Sequence, residues 1–356
     1  MKIFNRYIIR SVLTPTLFVL FLLVSLRALF AFIDVLDDVG KGEFTAMTGL
    51  TIVALSLPLW IVELLPMATL IGTVLGLGVL SSNSELTAMR AASVSPMRIG
   101  MATLRSALVL VFAGALISEF IVPRTSSMAE DVRLNAIAPD QLLHMRGTGV
   151  WMRSTQDYVF FRRVLPDDTA EQIYIMNFST PLQLSRVTFA ESARYEGDGQ
   201  WLLSHGSQSD YDGEQVRTEK FELKTWNSDL APDHLQLLQT KPEELSGAGL
   251  FSYRNYLLAN GLDAGKYDLE FWRKVFQPLN LIAMVLAGIA SVFGPLRTVT
   301  VSARILAGVA VGLAFHYSSQ IFGPVSLVYD LPPIFGALMP PLIFMIGAVF
   351  LLRRAR

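Results

Sequence analysis

Six stretches of this 356-residue chain are apolar for about twenty residues or more, around 11 to 33, 50 to 80, 101 to 122, 275 to 294, 302 to 322 and 334 to 352. A run of about that length, wound as a helix, crosses the hydrocarbon core of a bilayer. Six of them predict a polytopic helical membrane protein with both termini on one side. The first run follows Lys2, Arg6 and Arg10; it is too long for the apolar part of a signal peptide and precedes no small-residue cleavage site, so it is expected to remain as an anchor. Charge is distributed unevenly. Of the 59 charged residues, 36 lie between 123 and 270, where 22 acidic outnumber 14 basic, and the remainder holds 15 basic and 8 acidic. One polar domain therefore interrupts an apolar protein, and the net charge of −1 conceals two opposite balances. Cysteine is absent, which excludes a disulfide framework, a thiolate metal site and a cysteine nucleophile.

Orientation follows from basic residues in short connections. Lys2, Arg6 and Arg10, then Arg90, Arg98 and Arg105, then Arg297 and Arg304, then Arg353, Arg354 and Arg356 all fall on one face, expected to be cytoplasmic with both termini. The opposite loops, 34 to 46 and 323 to 333, have Lys41 as their only basic residue beside Asp34, Asp37, Asp38, Glu43 and Asp330. Arg273 and Lys274 break the pattern, but they adjoin a large translocated segment, and such segments largely escape the charge rule. The polar middle is then extracytoplasmic. It reads as strands over Tyr158–Leu165, Gln172–Phe178, Arg186–Tyr195, Gln200–Ser204 and Val216–Trp226, with turn residues in Glu196–Gly199 and Tyr211–Glu214. Six to eight strands imply a sandwich, jelly roll or open barrel. From Ala231 the pattern turns helical, and Leu250–Leu258 leads through Gly261 and Gly265 into the fourth span.

No phosphate-cradling G-x-x-x-x-G-K-[ST] loop is present, and the cytoplasmic connections are too short for a nucleotide-binding domain, so any ATPase is a separate polypeptide. The longest of these connections, 81 to 96, offers Ser82, Asn83 and Ser84 as helix caps and Glu85 at the positive helix end. Leu86, Met89 and Arg90 share one face of the short helix expected there, which suits either a groove on a partner or the lipid headgroups. Charged groups in spans are costly and mark candidate sites. Arg27 lies about 25 Å along the helix from Arg10, near the outer boundary; it either snorkels or pairs with Glu63 of the second run. That run is about 46 Å long as a helix, and Pro58 and Pro66 mark a broken outer segment in it. Glu119 sits at the outer end of span three beside Pro123. His316 is the only histidine in a span; a packing hydrogen bond suffices for it, whereas a proton relay or serine hydrolase would need a carboxylate or a G-x-S-x-G elbow that is missing. His144, His205 and His234 match no metal spacing, and no catalytic, metal or cofactor site is expected.

Several phrases, taken in order, resemble one family. They are Arg6-Tyr-Ile, Leu65-Pro-Met-Ala, Leu75-Gly-Leu-Gly, Ser84-Glu-Leu-Thr-Ala-Met-Arg-Ala-Ala, Phe276-Gln-Pro-Leu, Phe293-Gly-Pro-Leu-Arg297 and Gln320-Ile-Phe-Gly-Pro-Val-Ser-Leu-Val-Tyr-Asp-Leu-Pro-Pro333. The chain resembles the LptF/LptG permeases of the bacterial lipopolysaccharide export ABC transporter, the LptG branch more than the LptF branch. The resemblance implies spans one to three with a coupling helix at about 82–95 in 1–122, a periplasmic β-jellyroll-like domain with a helical C-terminal connection in 123–267, and spans four to six in 268–356. It implies an inner-membrane subunit without catalysis or cofactor of its own, paired with an LptF-like permease. ATP and Mg would be used by an LptB-like ATPase dimer, with LptC-like and LptA-like proteins receiving the lipopolysaccharide. Glu85, Leu86, Met89 and Arg90 would contact the ATPase. Arg27 and Lys41 would stand near the lipid phosphates, although Asp34, Asp37 and Asp38 depart from the family's basic pattern there. Phe30, Phe32, Leu64, Phe315 and Phe322 would line the acyl cavity, with Glu63 and His316 as further candidates. Two rival readings are a mechanotransmission protein that carries no lipid and an intramembrane lipid-modifying enzyme centred on His316.

Overall fold

The computed structural model describes residues 2–137, 150–154, 157–164, 169–180, 183–197, 199–212, 215–228, 230, 241–293 and 301–354. Arg297, Arg356, His144, His234, part of the Tyr211–Glu214 turn and the helical pattern from Ala231 to residue 240 lie outside the described residues. The chain begins with α1 (Lys2–Leu36), α2 (Ala46–Ser82), the short α3 (Glu85–Ala91) and α4 (Pro96–Leu116). A π-helical turn, Ile117–Ile121, joins α4 to α5 (Val122–Ile137). Six strands follow, then α6 (Gly247–Ala259), α7 (Gly265–Val275), α8 (Gln277–Phe293), α9 (Val301–Val328) and α10 (Pro333–Arg354). Among the described residues, five helices are long and apolar enough to cross a membrane, and α7 with α8 make a sixth if counted as one span bent by 52°.

Proline shapes several of these helices. Pro278 lacks an amide hydrogen and its ring crowds the carbonyl of the preceding turn, which accounts for the break at Phe276. The π turn ends just before Pro123, where the ordinary ladder loses a donor. Pro58 and Pro66, by contrast, do not break the second span: α2 runs uninterrupted for 37 residues, capped by reciprocal Thr45 and Thr48 hydrogen bonds. The expected broken segment is thus corrected to one continuous helix. Proline is tolerated in membrane helices where neighbouring groups re-satisfy the backbone. The first two turns of α2 pack Ile52 with Phe44 against Ala129 of α5.

Small residues set the approach of α1 to α2. Pro15 deprives the Ser11 carbonyl of its helical donor, and Gly76 of α2 sits against that same carbonyl; a Cβ there would lie 2.2 Å from it. One turn on, a Cβ on Gly72 would lie 2.2 Å from Thr16 Oγ1. Backbones that touch over glycine are how helices associate where no hydrophobic drive separates protein from lipid. At the α3 end, Ile8, Val12, Leu77, Leu80, Leu86 and Ile99 close a core around α1, α2, α3 and α4. Deeper along the bundle, Leu70 and Val74 pack on Met284 and Phe315.

The β-domain is an antiparallel meander in which each strand pairs with the next: β1 (Val150–Ser154), β2 (Asp157–Val164), β3 (Thr169–Thr180), β4 (Gln183–Gly197), β5 (Gln200–Asp212) and β6 (Gln215–Asn227). It falls in the expected class of an inserted sheet domain. A crease crosses it at Gln172, Glu191 and His205, which drop out of the pairing register, and Gln172 and His205 carry positive φ. Buried positions are three apart across that line, Ala170 to Ile173 and Ala190 to Ala193, so the inward face switches parity there. The inner face buries Val159, Phe161, Ile173, Ile175, Trp201 and Leu203 against Tyr253, Tyr256 and Leu257 of α6. The Tyr256 hydroxyl donates to the Arg153 carbonyl at 2.8 Å. The opposite face of β1 to β4 carries an aromatic row, Trp151, Phe160, Tyr174 and Phe189, stacked strand to strand.

Candidate functional site

Three places concentrate polar chemistry on this apolar scaffold. The first is α3. Ser84 precedes it in the left-handed conformation, with φ 59, and makes no side-chain cap. Leu86 is buried in the core with Ile8, and Met89 packs partly against the same cluster, so both turn toward their own chain. Arg90 and Thr87 are exposed. Glu85 is held from α1: the Tyr7 hydroxyl donates to its Oε2 at 2.6 Å.

The second place lies just past the far end of α1. The Asp38 carboxylate accepts from Lys41 Nζ at 2.6 Å through one oxygen and from Arg133 Nη2 of α5 at 2.7 Å through the other. Lys41's hydrogen bond is the largest influence on the Asp38 carboxyl and, with the charges of Arg133 and Lys41, holds it below the ordinary carboxylate range against the opposing effect of burial. Two cations around one anion leave the cluster net positive. Arg133 carries no sequence signal of its own; it lies 95 residues from Asp38, and the continuation of span three through the π turn into α5 brings it there. About three turns back along α1, Arg27 does not pair with Glu63. Its guanidinium lies 5.4 Å from the centre of the Trp60 ring, one turn before Glu63, and Glu63 is exposed. Trp60 is itself buried, so the ring is a fixed platform for the cation.

Between these ends, α1 presents exposed apolar residues at Leu22, Leu26, Leu29, Phe30 and Ile33, and α9 does the same with Tyr317, Ile321, Val325 and Val328. Phe32, Leu64 and Phe322 are half-buried. Phe315 is buried and meets Phe344 of α10 edge-on, with centroids 5.2 Å apart. His316 pairs with Gln320 one turn on at 3.0 Å, while the Ser318 hydroxyl returns to the Ala314 carbonyl. Among the described residues, no serine hydroxyl is hydrogen-bonded to His316. No cluster of three metal-binding side chains occurs among the described residues.

The third place joins the β-domain to the spans. Glu119, in the π turn, accepts the Gly247 and Ala248 amides at 2.8 and 3.3 Å, capping α6 from another element. Lys274 donates to the carbonyl and hydroxyl of Ser118 at 3.2 and 3.0 Å. Arg273 donates to Glu270 and to the Ser319 carbonyl of α9, 2.9 Å away. That approach needs Gly323, because a Cβ there would lie 2.3 Å from the guanidinium. Arg273 and Lys274 thus bind backbone oxygens of other elements, Arg273 in α9 and Lys274 in the π turn after α4. Their place against the charge rule reflects these contacts, which no local sequence pattern reveals.

The comparisons with known proteins agree along nearly the whole chain. The family model of the lipopolysaccharide export system permease LptF/LptG matches residues 6–354. The chain is 36% identical over 353 residues to the lipopolysaccharide export system permease protein LptG of Haemophilus influenzae, covering 99% of this chain and 98% of that one. It is 35% identical over 354 residues to the protein of the same name from Escherichia coli strain K12, with the same coverage of both.

Proposed function

The chain belongs to the lipopolysaccharide export permease LptF/LptG family, and from that premise we propose that it works as the LptG-type subunit of an ABC-type exporter that lifts lipopolysaccharide from the inner membrane. In this reading it is a multi-pass inner-membrane permease and no enzyme. Both termini and α3 lie on the cytoplasmic side, and the β-domain lies in the periplasm. The energy comes from a separate LptB-like ATPase dimer that uses ATP and Mg. An LptF-like permease completes the membrane cavity, and LptC-like and LptA-like proteins take the lipid onward from the β-domain.

The observation that carries the reading is the layout along α1. One continuous helix, about 50 Å long, connects the α3 contact at Tyr7 to the Asp38, Lys41 and Arg133 cluster at its far end. In the proposed mechanism Glu85 and Arg90 meet the ATPase while Leu86 and Met89 anchor α3 from behind. Lys41, Arg133 and Arg27 attract the phosphates of the lipid. Phe30, Phe32, Leu64 and Phe322, with the exposed apolar faces of α1 and α9, accept acyl chains; Phe315 supports them by packing, and Glu63 and His316 border the same region. Exposing ten methylenes to water costs about 8 kcal/mol, so extraction needs ATP and a covered route. The apolar inner face of the β-domain, which α6 covers, supports such a route.

Affinity purification from the native membrane, with mass spectrometry of co-purifying proteins and lipids, tests the proposal. An LptB-like ATPase, an LptF-like paralogue and bound lipopolysaccharide are the expected companions. An ATPase without lipid would favour mechanotransmission, and a folded preparation lacking all three would overturn the reading.

A further inference from the structure

We infer that Tyr7 is a positioning residue for Glu85, fixing one carboxylate oxygen so that the other meets a cation of the ATPase, and tying that contact to α1. The inference rests on the coupling role proposed for Glu85. Within α3 nothing fixes that side chain: the helix has seven residues, and the left-handed Ser84 before it makes no capping bond. The Tyr7 hydroxyl supplies the fixation from 78 residues away, with the short distance of a hydrogen bond to a charged acceptor. Among the described residues no other hydrogen bond or ion pair to Glu85 is present, which leaves Oε1 to face a partner.

Burial does not explain Tyr7. The residue is 44% exposed, whereas the neighbouring Ile8 is buried and Phe4 packs partly into the same core as Leu86 and Met89. The apolar contact between α1 and α3 is therefore made by those residues, and the phenol adds direction to it. Because α1 continues unbroken to Leu36, a displacement of Glu85 is delivered to the helix that ends beside Asp38. Tyr7 thereby couples the ATPase stroke to the lipid-facing span.

The test uses the complete complex reconstituted in vesicles, with lipid moved and ATP hydrolysed both measured per mole of assembled complex. Tyr7→Phe keeps the ring and removes the hydroxyl. We expect assembly and thermal stability to be unchanged while lipid moved per ATP falls roughly three- to tenfold, the scale of one lost hydrogen bond of ordinary strength at an exposed contact. Glu85→Gln should lower the same ratio, and Tyr7→Phe with Glu85→Gln should be no worse than Glu85→Gln alone. A wild-type ratio in Tyr7→Phe, or losses that multiply in the double variant, would overturn the positioning role while leaving the coupling reading intact. A wild-type ratio in Glu85→Gln would remove both. Normalising to assembled complex keeps the result decisive if a variant assembles less well.

Discussion

The Glu119 carboxylate accepts the backbone amide of Gly247 at 2.8 Å across 128 residues of sequence, so the helix that follows the β-domain is capped by the third span. With Lys274 on the Ser118 carbonyl beside it, this contact fixes where the β-domain leaves the membrane bundle. Losing a side-chain cap costs a helix about 1 kcal/mol, roughly a fivefold change in an opening equilibrium. Glu119→Ala is expected to speed hydrogen exchange at Gly247 and Ala248 by about that factor, with exchange in the strands unchanged. Unaltered exchange at both amides would contradict the capping role.

The contact between α1 and α2 makes a steric prediction with an internal control. Gly76→Val places a side chain where even a Cβ would lie 2.2 Å from the Ser11 carbonyl, whereas a Cβ on Gly78 meets nothing within 4 Å. Overpacking of this kind typically costs about 1–3 kcal/mol. Gly76→Val should lower the thermal stability and yield of detergent-purified protein, and Gly78→Ala should match the parent in both.

Asp38 links pH to the cation cluster. Its carboxyl titrates lower in the folded protein than in the unfolded chain, chiefly because Lys41 and then Arg133 stabilise the anion. That contribution is present above the ordinary carboxylate range and is lost as pH falls through the lowered value. Because both cationic partners are exposed to solvent and screened, the effect on stability is small. The larger effect is on ligand charge. Asp38→Asn should raise the lipopolysaccharide retained per mole of purified complex by a few fold, and Arg133→Gln or Lys41→Gln should lower it. Equal retention in all three variants would separate this cluster from the phosphates.

The Arg27 contact gives a prediction of partner choice. In a double-mutant cycle on stability, Arg27→Ala and Trp60→Leu should couple by about 0.5–1 kcal/mol, the usual size of an exposed cation–π contact. Arg27→Ala and Glu63→Gln should be additive. Coupling to Glu63 in place of Trp60 would restore the ion pair that charge in the sequence suggested.

The sequence made some of this legible and hid the rest for physical reasons. Spans and strands are written as long apolar runs and alternating aromatic or branched residues, local signals that a window of residues contains. The strand Val150–Ser154 escaped notice because it is five residues long and gains its identity from pairing with Asp157–Phe161. Pro58 and Pro66 read as breaks because local rules price the missing amide without the neighbouring helices that tolerate it. Arg133, Tyr7 and Lys274 find their partners 95, 78 and 156 residues away, and nothing in their own neighbourhoods announces those partners. Leu86 and Arg90 show the limit of periodicity: spacing put them on one helix face, and only packing on Ile8 divides inward from outward.

The central claim is that lipid travels from the membrane face of α1 to the β-domain at the expense of ATP. A photoreactive phenylalanine analogue placed at exposed Phe30, and in a second protein at Phe221 beside the inner core of the β-domain, tests it in the intact complex in vesicles. The account predicts a lipopolysaccharide adduct at position 30 without ATP, and an adduct at position 221 that accumulates only after ATP is added. Adducts at neither position, or a position 221 adduct indifferent to ATP, would contradict it.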